Sequence, residues 1–231
     1  MIHGRRVSSR SMMAALPDLD EIDDIRVKAL VPYDAECVLE WCFGPLAQRN
    51  CAHRFDLWYG TEKDEEIKRI FTQMLLTVGS SVELLESWSS TPRGAVAFVV
   101  LCAHLNRCIN RGTPLEFQHD GVCLALTRSL LRDRRHADGS LTAPEAAALS
   151  VCLSQSEDPN DHRVNCDHVL PELMALHVHQ TVPLQAMLQA ALRLKEEIER
   201  FGRFQSRSVI PQHASLTPPE AACCVSNLPA A

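Results

Sequence analysis

The side chains best suited to chemistry in this sequence are arginines and carboxylates that recur from residue 107 onward. They are Arg107, Arg111, Asp120, Glu157, Asp158, Arg203 and Arg207. A guanidinium group offers planar, bidentate hydrogen bonds to carboxylates and phosphates. If the fold gathers these residues in one cleft, we expect them to bind a small anionic molecule. The simpler interpretation, which we favour, is that each belongs to a buried ion pair or a helix cap.

The sequence gives no strong signal for a metal, a cofactor or a nucleophile. Its ten cysteines include no C-x-x-C pair, the usual spacing of zinc ligands. Cys166 with His162 and His168 is the nearest approach to a metal cluster, and we interpret these three as surface residues of a polar helix. His177 and His179 are expected on different faces of a helix. We therefore predict no metal site and no cofactor.

Four clustered arginines raise the question of nucleic-acid binding. They are Arg128, Arg132, Arg134 and Arg135. The formal net charge of -6 argues mildly against this function, because nucleic-acid-binding proteins present a basic face. Basic residues at the end of a helix also complement its dipole. We therefore expect RNA contact only as part of an RNA-containing assembly.

The two ends of the chain differ in composition from its middle. Residues 1–17 are rich in arginine and serine and contain no acid, which is typical of a mitochondrial targeting segment and also of a disordered basic tail. We expect residues 18–33 to form an acidic linker and residues 226–231 a frayed tail. The predicted location is mitochondrial, or otherwise cytoplasmic. Because most cysteines fall in apolar helical patterns, we expect a reducing compartment without a disulfide scaffold.

Apolar residues between 34 and 225 recur at helical spacing and not at the alternating spacing of strands. The pattern predicts roughly nine helices. They cover about 34–43, 62–78, 82–88, 94–110, 117–132, 142–153, 156–176, 181–200 and 216–225. Short connections favour antiparallel helix pairs, so the sequence predicts a single all-α domain over residues 34–225.

Local signals mark several helix ends. Thr142 and Glu145 have the spacing of a capping box. Gly202 is suited to a left-handed C-terminal cap, and Pro171 is expected to kink or divide its helix. The apolar run at 95–103 is about half the roughly 18 to 20 residues that span a bilayer, so we predict no membrane span.

Short motifs along the chain resemble those of one protein family. In order they are Trp41-Cys42-Phe43-Gly44, Trp58 with Asp64, Ile67 and Phe71, Trp88 with Thr91-Pro92-Arg93-Gly94, Arg107 with Arg111-Gly112, Phe117 and Asp120, Ser156-Glu157-Asp158, and Arg200-Phe201-Gly202-Arg203-Phe204 with Arg207. Together they resemble the bacterial domain-of-unknown-function 924 family over about residues 34–225. The resemblance implies an all-helical fold similar to tetratricopeptide repeats, without the repeat sequence.

The chain departs from the family pattern at several polar positions. The run 103–108 stands where the family has Asp-Gln-Phe-Pro-Arg-Asn, and the run 205–208 where it has Pro-His-Arg-Asn. Gln155 and Leu194 each replace a family histidine, and His162 replaces a glutamine. The replaced side chains are those suited to acid–base work. The resemblance therefore implies that any polar site of the family is partly lost in this chain.

The parts of the pattern that remain are suited to holding a fold together. Phe201 and Phe204 are expected to pack after the end of the last long helix. Arg203 and Arg207 are expected to pair with the two acids of the 156–158 motif.

These observations favour a protein without catalytic activity. We expect a helical interaction or structural protein, a subunit or accessory factor of a larger assembly in mitochondria, with other protein subunits as its partners. The alternative is a small-molecule-binding protein, or an enzyme of unknown reaction, that uses a cleft of arginines and carboxylates.

Overall fold

The computed structural model describes residues 34–49, 51 and 60–209. Eight helices account for most of these residues, and the described ranges contain no strand. The helices are α1 (Ala35–Phe43), α2 (Asp64–Val78), α3 (Val82–Ser89), α4 (Pro92–Val99, Val100–Leu105 and Asn106–Ile109), α5 (Asp120–Arg132), α6 (Ala143–Ser154), α7 (Pro159–Val164, Asn165–Val169 and Leu170–Leu176) and α8 (Thr181–Phe201). The predicted single all-α domain is confirmed. Eight of the nine predicted helices are present.

Several predictions fall outside the described residues. They concern the segments 1–17 and 18–33, the ninth helix at 216–225, the tail at 226–231, and Trp58. The predicted likeness to tetratricopeptide repeats stays a prediction.

Two helices in contact, α4 and α6, form the centre of the fold. Every residue from 94 to 106 in α4 and from 143 to 154 in α6 is buried. Helix α4 also packs against α1, α2, α3 and α5, whereas α6 also packs against α1, α5, α7 and α8. Each fully buried leucine, such as Leu149 of α6, contributes about 1.5–3 kcal/mol to folding. The central position of α4 agrees with its apolar pattern, but that of α6 is a finding of the structure.

Widened, π-helical turns interrupt both α4 and α7. In α4 the N–H of Asn106 donates to the carbonyl of Leu101, five residues earlier. In α7 the N–H of Leu170 donates to the carbonyl of Asn165 in the same way. Pro171 follows directly, and a proline removes one N–H from the helical ladder. The helix therefore continues past the proline after a wider turn and is not divided there, while a kink at Pro171 stays a prediction.

The end of α8 directs the chain back onto the domain. Gly202 adopts a left-handed φ of 71° and its N–H donates to the carbonyl of Ile198, which confirms the predicted cap. Phe204 then becomes buried, and its N–H donates to Glu157 Oε1 at 3.1 Å. Phe201, by contrast, stays 46% exposed beneath the guanidinium of Arg200. The expected packing holds for Phe204 and is wrong for Phe201, because Phe201 precedes the turn.

None of the helices in the described ranges combines the length and apolar character needed to cross a membrane. The eight cysteines in those ranges are free thiols. Burial raises the pKa of Cys108 to about 11 and that of Cys152 to about 12, so both thiols remain protonated at neutral pH.

Candidate functional site

Four of the predicted site residues lie together at the junction of α4, α5, the loop after α6 and the turn after α8. Arg107 Nη2 of α4 donates to Asp120 Oδ2 at the start of α5 at 2.8 Å. Arg207 Nη2 lies 3.7 Å from the same oxygen, and its Nη1 lies 3.8 Å from Glu157 Oε1. Arg207 donates its shortest hydrogen bond, 2.5 Å, to the carbonyl of Gln155. We refer to Arg107, Asp120, Glu157 and Arg207 as the Arg207 cluster.

Arg207 is the least well paired member of this cluster. Its side chain is only 11% exposed, yet neither carboxylate is within direct hydrogen-bond distance. Burial lowers the pKa of its guanidinium. The carboxylates of Asp120 and Glu157 oppose this shift, while the positive charge of Arg107 adds to it. The folded protein therefore holds Arg207 as a desolvated cation with room for a further anionic partner.

Aromatic rings fix the positions of the two guanidinium groups. The Arg107 guanidinium carbon lies 5.4 Å from the ring centroid of Phe117, and that of Arg207 lies 4.6 Å from the same ring. A second ring, Phe204, lies 4.9 Å from Arg207. Cation–π contacts of this kind contribute about 0.5–2 kcal/mol each. The rings also limit the rotamers of the arginines, which prepares them for a ligand.

A cleft of about 280 Å³ opens beside the two arginines. Its lining residues are Arg107, Glu116, Phe117, Ser154, Gln155, Leu194, Phe204, Ser206 and Arg207. The volume is close to the lower limit of small-molecule pockets in proteins. Three lining positions, Gln155, Leu194 and Ser206, are among those at which the resemblance implies that a family histidine is replaced. These predicted departures and the two arginines thus line one cleft.

The C-terminal end of α6 is held by the π-helical turns of its neighbours. Asn165 Nδ2 donates to Ser154 Oγ at 2.8 Å, and His104 Nε2 lies 3.1 Å from the carbonyl of Ala148. Burial, together with the positive charge of Arg107, lowers the pKa of His104 to about 3. The imidazole is therefore neutral, and its Nε2–H donates to Ala148, since a carbonyl can only accept. These contacts hold the C-terminal turn of α6, which places Ser154 and Gln155 in the wall of the cleft.

Gln155 connects the cleft to the buried His104. It follows Ser154 at the end of α6 and lines the cleft. Its side chain is hydrogen-bonded to the imidazole of His104. Because the Nε2–H of His104 donates to Ala148, the Nδ1 of the imidazole is an acceptor, and the amide NH₂ of Gln155 is the group that can donate to it.

The other three predicted site residues lie outside the cleft. Arg111 Nε pairs with Asp64 Oδ2 at the start of α2 at 2.6 Å. Asp158 caps α7 and lies 3.3 Å from Arg128 Nη2. Arg203 is exposed and has no ion pair in the described part of the chain. The simpler interpretation, an ion pair or a cap, therefore fits Arg111 and Asp158. The predicted pairing with the 156–158 motif holds for Arg207 with Glu157, at 3.8 Å, and is wrong for Arg203.

A second group of paired charges, which the sequence pattern does not indicate, lies near the start of the domain. Glu145 of α6 is fully buried and accepts hydrogen bonds from Arg49 and, at 3.0 Å, from Arg93 Nε. Glu36 of α1 accepts from Arg49 and, at 2.6 Å, from Arg93 Nη2. Glu145 also accepts from the backbone N–H of Thr142 at 2.7 Å, which confirms the capping box. We refer to Arg49, Arg93, Glu36 and Glu145 as the Glu145 network.

A cleft of about 380 Å³ borders the Glu145 network at Glu36 and Arg93. It is larger than the cleft at the Arg207 cluster, but Glu36 and Arg93 at its wall are already hydrogen-bonded to opposite charges. Asp34, the third charged residue of its lining, caps α1 by accepting from the N–H of Glu36 at 2.9 Å. Volume alone therefore does not identify the better binding site.

Two of the three residues in the nearest metal-like group are not surface residues, which corrects the expectation from sequence. His162 and Cys166 are buried, whereas His168 is exposed as expected. This part of α7 is amphipathic, so the two buried side chains lie on the face that packs into the domain. Within the described ranges, no group of three or more His, Cys, Asp or Glu side chains has a geometry suited to a metal ion.

Each arginine of the 128–135 cluster has a carboxylate partner. The pairs are Arg128–Asp161, Arg132–Asp133, Arg134–Glu172 and Arg135–Asp138. This pairing reduces the positive potential that phosphate contacts require.

Comparison with known proteins supports the resemblance seen in the motifs. A family model described as "Bacterial protein of unknown function (DUF924)" matches residues 38–222, well over half of the 231 residues. No curated protein and no solved structure matches the chain. The match includes the Arg207 cluster and all eight described helices except the first three residues of α1. The chain therefore belongs to the bacterial DUF924 family.

Proposed function

We propose that this protein binds a small anionic molecule in the cleft beside Arg107 and Arg207. The observation that carries the proposal is the incomplete pairing of Arg207, which is buried, positively charged and 3.7 Å or more from its nearest carboxylates. Two guanidinium groups on one aromatic ring form a preorganised site for a planar anion.

We propose binding rather than catalysis. The ionisable side chains that line the cleft are Arg107, Glu116 and Arg207, and an arginine does not release its proton in proteins. His104 lies behind the cleft, where its pKa of about 3 and its burial are unsuited to proton exchange with a ligand near neutral pH. Acid–base chemistry would rest on Glu116 alone.

The test is a titration calorimetry series with sodium 4-methylpentanoate and with inorganic phosphate as probes. We expect the wild-type protein to bind at least one of these anions, and Arg207→Gln to weaken that binding about tenfold or more. Arg203→Gln is the matched control, since Arg203 is exposed and four residues away. Circular dichroism verifies that both variants fold. Equal binding by Arg207→Gln and the wild type would contradict the proposal.

A second candidate function is that of a subunit in a larger assembly, with other protein subunits as partners. The observation that favours it is a group of exposed apolar residues at the end of α7, at the start of α8 and in the turn that joins them. Leu176, Val178 and Val182 are 49%, 74% and 82% exposed, and apolar patches of this kind mark interaction sites. RNA contact enters this proposal only through such an assembly.

The assembly proposal is tested by native mass spectrometry of the protein purified gently from its cells. We expect a co-purifying partner that is lost from the double variant Val178→Ser, Val182→Ser. Leu76→Ser is the control, because Leu76 is 59% exposed on a different helix, α2. A sharp monomer peak without any partner would refute it.

The proposed mitochondrial location rests on the composition of residues 1–17 and is tested by imaging the full chain with a C-terminal fluorescent tag.

A further inference from the structure

We infer that the ligand of the cleft is a zwitterionic amino acid with an apolar side chain. This inference rests on the proposed function and specifies its ligand. A carboxylate would lie on Arg107 and Arg207, an ammonium group on Glu116, and the side chain against Leu194 and the aromatic rings. Each part follows from a separate feature of the lining residues.

The charges of the lining favour a zwitterion over a dianion. Arg107 and Arg207 contribute two positive charges, and Glu116 contributes one negative charge in the same cleft. Asp120 adds a further negative charge directly behind Arg107. A phosphate dianion would meet repulsion from both carboxylates, whereas the ammonium group of an amino acid is attracted to Glu116.

The carboxylate of Glu116 calls for a ligand that donates hydrogen bonds. Glu116 Oε2 accepts from the N–H of Gly112 at 2.9 Å, while Glu116 Oε1 has no hydrogen-bond partner in the described part of the chain. A simple carboxylate carries no donor, but an ammonium group carries three. The ammonium group is therefore the part of the ligand that pairs with Glu116.

The apolar lining and the volume limit the rest of the ligand. Leu194, Phe117 and Phe204 lie in the wall beside the charged groups, so the site has an apolar side as well as a polar one. A cleft of about 280 Å³ is at the small end of ligand pockets. It suits a single amino acid with a side chain such as that of leucine, whose burial contributes about 1.5–3 kcal/mol.

The test compares L-leucine with N-acetyl-L-leucine and 4-methylpentanoate by titration calorimetry. Acetylation removes the positive charge of the amine, and 4-methylpentanoate lacks the amine altogether. We expect wild-type protein to bind L-leucine about tenfold or more tightly than either analogue. In the Glu116→Gln variant we expect the difference to fall to about threefold or less, while binding of 4-methylpentanoate is retained. Retained binding of that probe also shows that the variant is folded.

The outcomes separate this inference from the proposed function. If all three carboxylates bind equally and Arg207→Gln abolishes their binding, the amino-acid inference is overturned and the proposed function stands. Tighter binding of inorganic phosphate than of L-leucine likewise overturns the inference. If neither phosphate nor any carboxylate binds the folded wild-type protein, both are wrong.

Discussion

The Glu145 network and the Arg207 cluster contain the same ingredients, two arginines and two carboxylates, but they are assembled differently. In the Glu145 network each carboxylate accepts hydrogen bonds from both arginines, and the side chains of Arg49 and Glu145 are 1% and 0% exposed. In the Arg207 cluster a direct hydrogen bond joins Arg107 to Asp120, and Arg207 is held at 3.7 Å or more from its carboxylates.

Pairing, more than charge or cavity size, distinguishes the two groups. The four side chains of the Glu145 network are already hydrogen-bonded to opposite charges, even beside a cleft of about 380 Å³. An incompletely paired arginine lowers stability, and proteins tolerate such groups where function requires them. We therefore interpret the Glu145 network as structural, and our proposal is that the Arg207 cluster gives up stability to remain available to a ligand.

The largest expected effect is the loss of stability in Glu145→Gln. The substitution keeps the shape of the side chain but removes the buried charge that Arg49 and Arg93 share, so the buried Arg49 keeps only the partly exposed Glu36 as a charged partner. We expect this to cost about 3–5 kcal/mol. Urea denaturation followed by circular dichroism measures the free energy of unfolding. Glu36→Gln is the control, since Glu36 is 40% exposed and water can replace the lost charge. Equal losses in the two variants would show that burial does not govern this network.

The second prediction concerns how the free energy of unfolding depends on pH through His104. Burial, and then the positive charge of Arg107, lower the pKa of this residue. The pKa of His104 is about 3 in the folded protein and ordinarily about 6.5. Between these values the unfolded chain binds a proton that the folded protein excludes, so stability falls as the pH decreases from about 6.5 towards 3. The slope from this one group is at most about 1.4 kcal/mol per pH unit.

The variant His104→Gln isolates this contribution. We expect its free energy of unfolding to vary less between pH 6.5 and pH 4 than that of the wild type, although the variant is less stable at pH 7. His168→Gln is the control, because His168 is exposed on α7. Parallel stability curves for His104→Gln and the wild type would show that the imidazole is not excluded from protonation.

Local signals made most of the fold predictable. The capping box at Thr142 and Glu145 and the left-handed cap at Gly202 depend on residues within one turn of each other, so their spacing is visible in the sequence. The π-helical turn at 100–105 has no comparable local signal. It accompanies the burial of α4 on all sides, a property of the whole domain.

The candidate site was only partly predictable because ion pairing depends on the tertiary fold. Arg107 pairs with a carboxylate 13 residues away, Arg111 with one 47 residues away and Arg49 with one 96 residues away. Residue type identified both Arg107 and Arg111 as anion-binding groups. Only the packing of α4 against α2 and α5 shows that each pairs with a carboxylate and that, of the two, Arg107 lines the cleft. Gln155 gave no signal by itself, since its position in the wall of the cleft is evident only in the folded structure.

The third prediction tests the turn that brings Arg207 to the cleft. Gly202→Ala forces an alanine to adopt φ 71°, which costs about 1 kcal/mol, while the added methyl group meets no atom within 4 Å. Gly139→Ala is the matched control, since Gly139 has φ 84° and equally open surroundings in a different loop. We expect similar losses of stability by urea denaturation, but weaker carboxylate binding by titration calorimetry only in Gly202→Ala. Unchanged stability in Gly202→Ala would mean that the helix end relaxes to a negative φ.

The smallest expected change in stability is that of Arg207→Met, and it bears most directly on the comparison. Removing Arg207 leaves Asp120 paired with Arg107 at 2.8 Å and Glu157 bonded to the N–H of Phe204, so no carboxylate becomes isolated. The substitution also removes the hydrogen bond to the Gln155 carbonyl and two cation–π contacts, but it ends the desolvation cost of the guanidinium and leaves an apolar side chain against the same rings. Because these contributions oppose each other, we expect the free energy of unfolding to change by less than about 1 kcal/mol, in either direction, while carboxylate binding is lost. Arg49→Met is the matched substitution in the Glu145 network, where it removes one of the two charged donors to the buried Glu145 and costs about 3 kcal/mol. If both substitutions destabilise equally, Arg207 is a structural arginine like Arg49, and the distinction between the two groups does not hold.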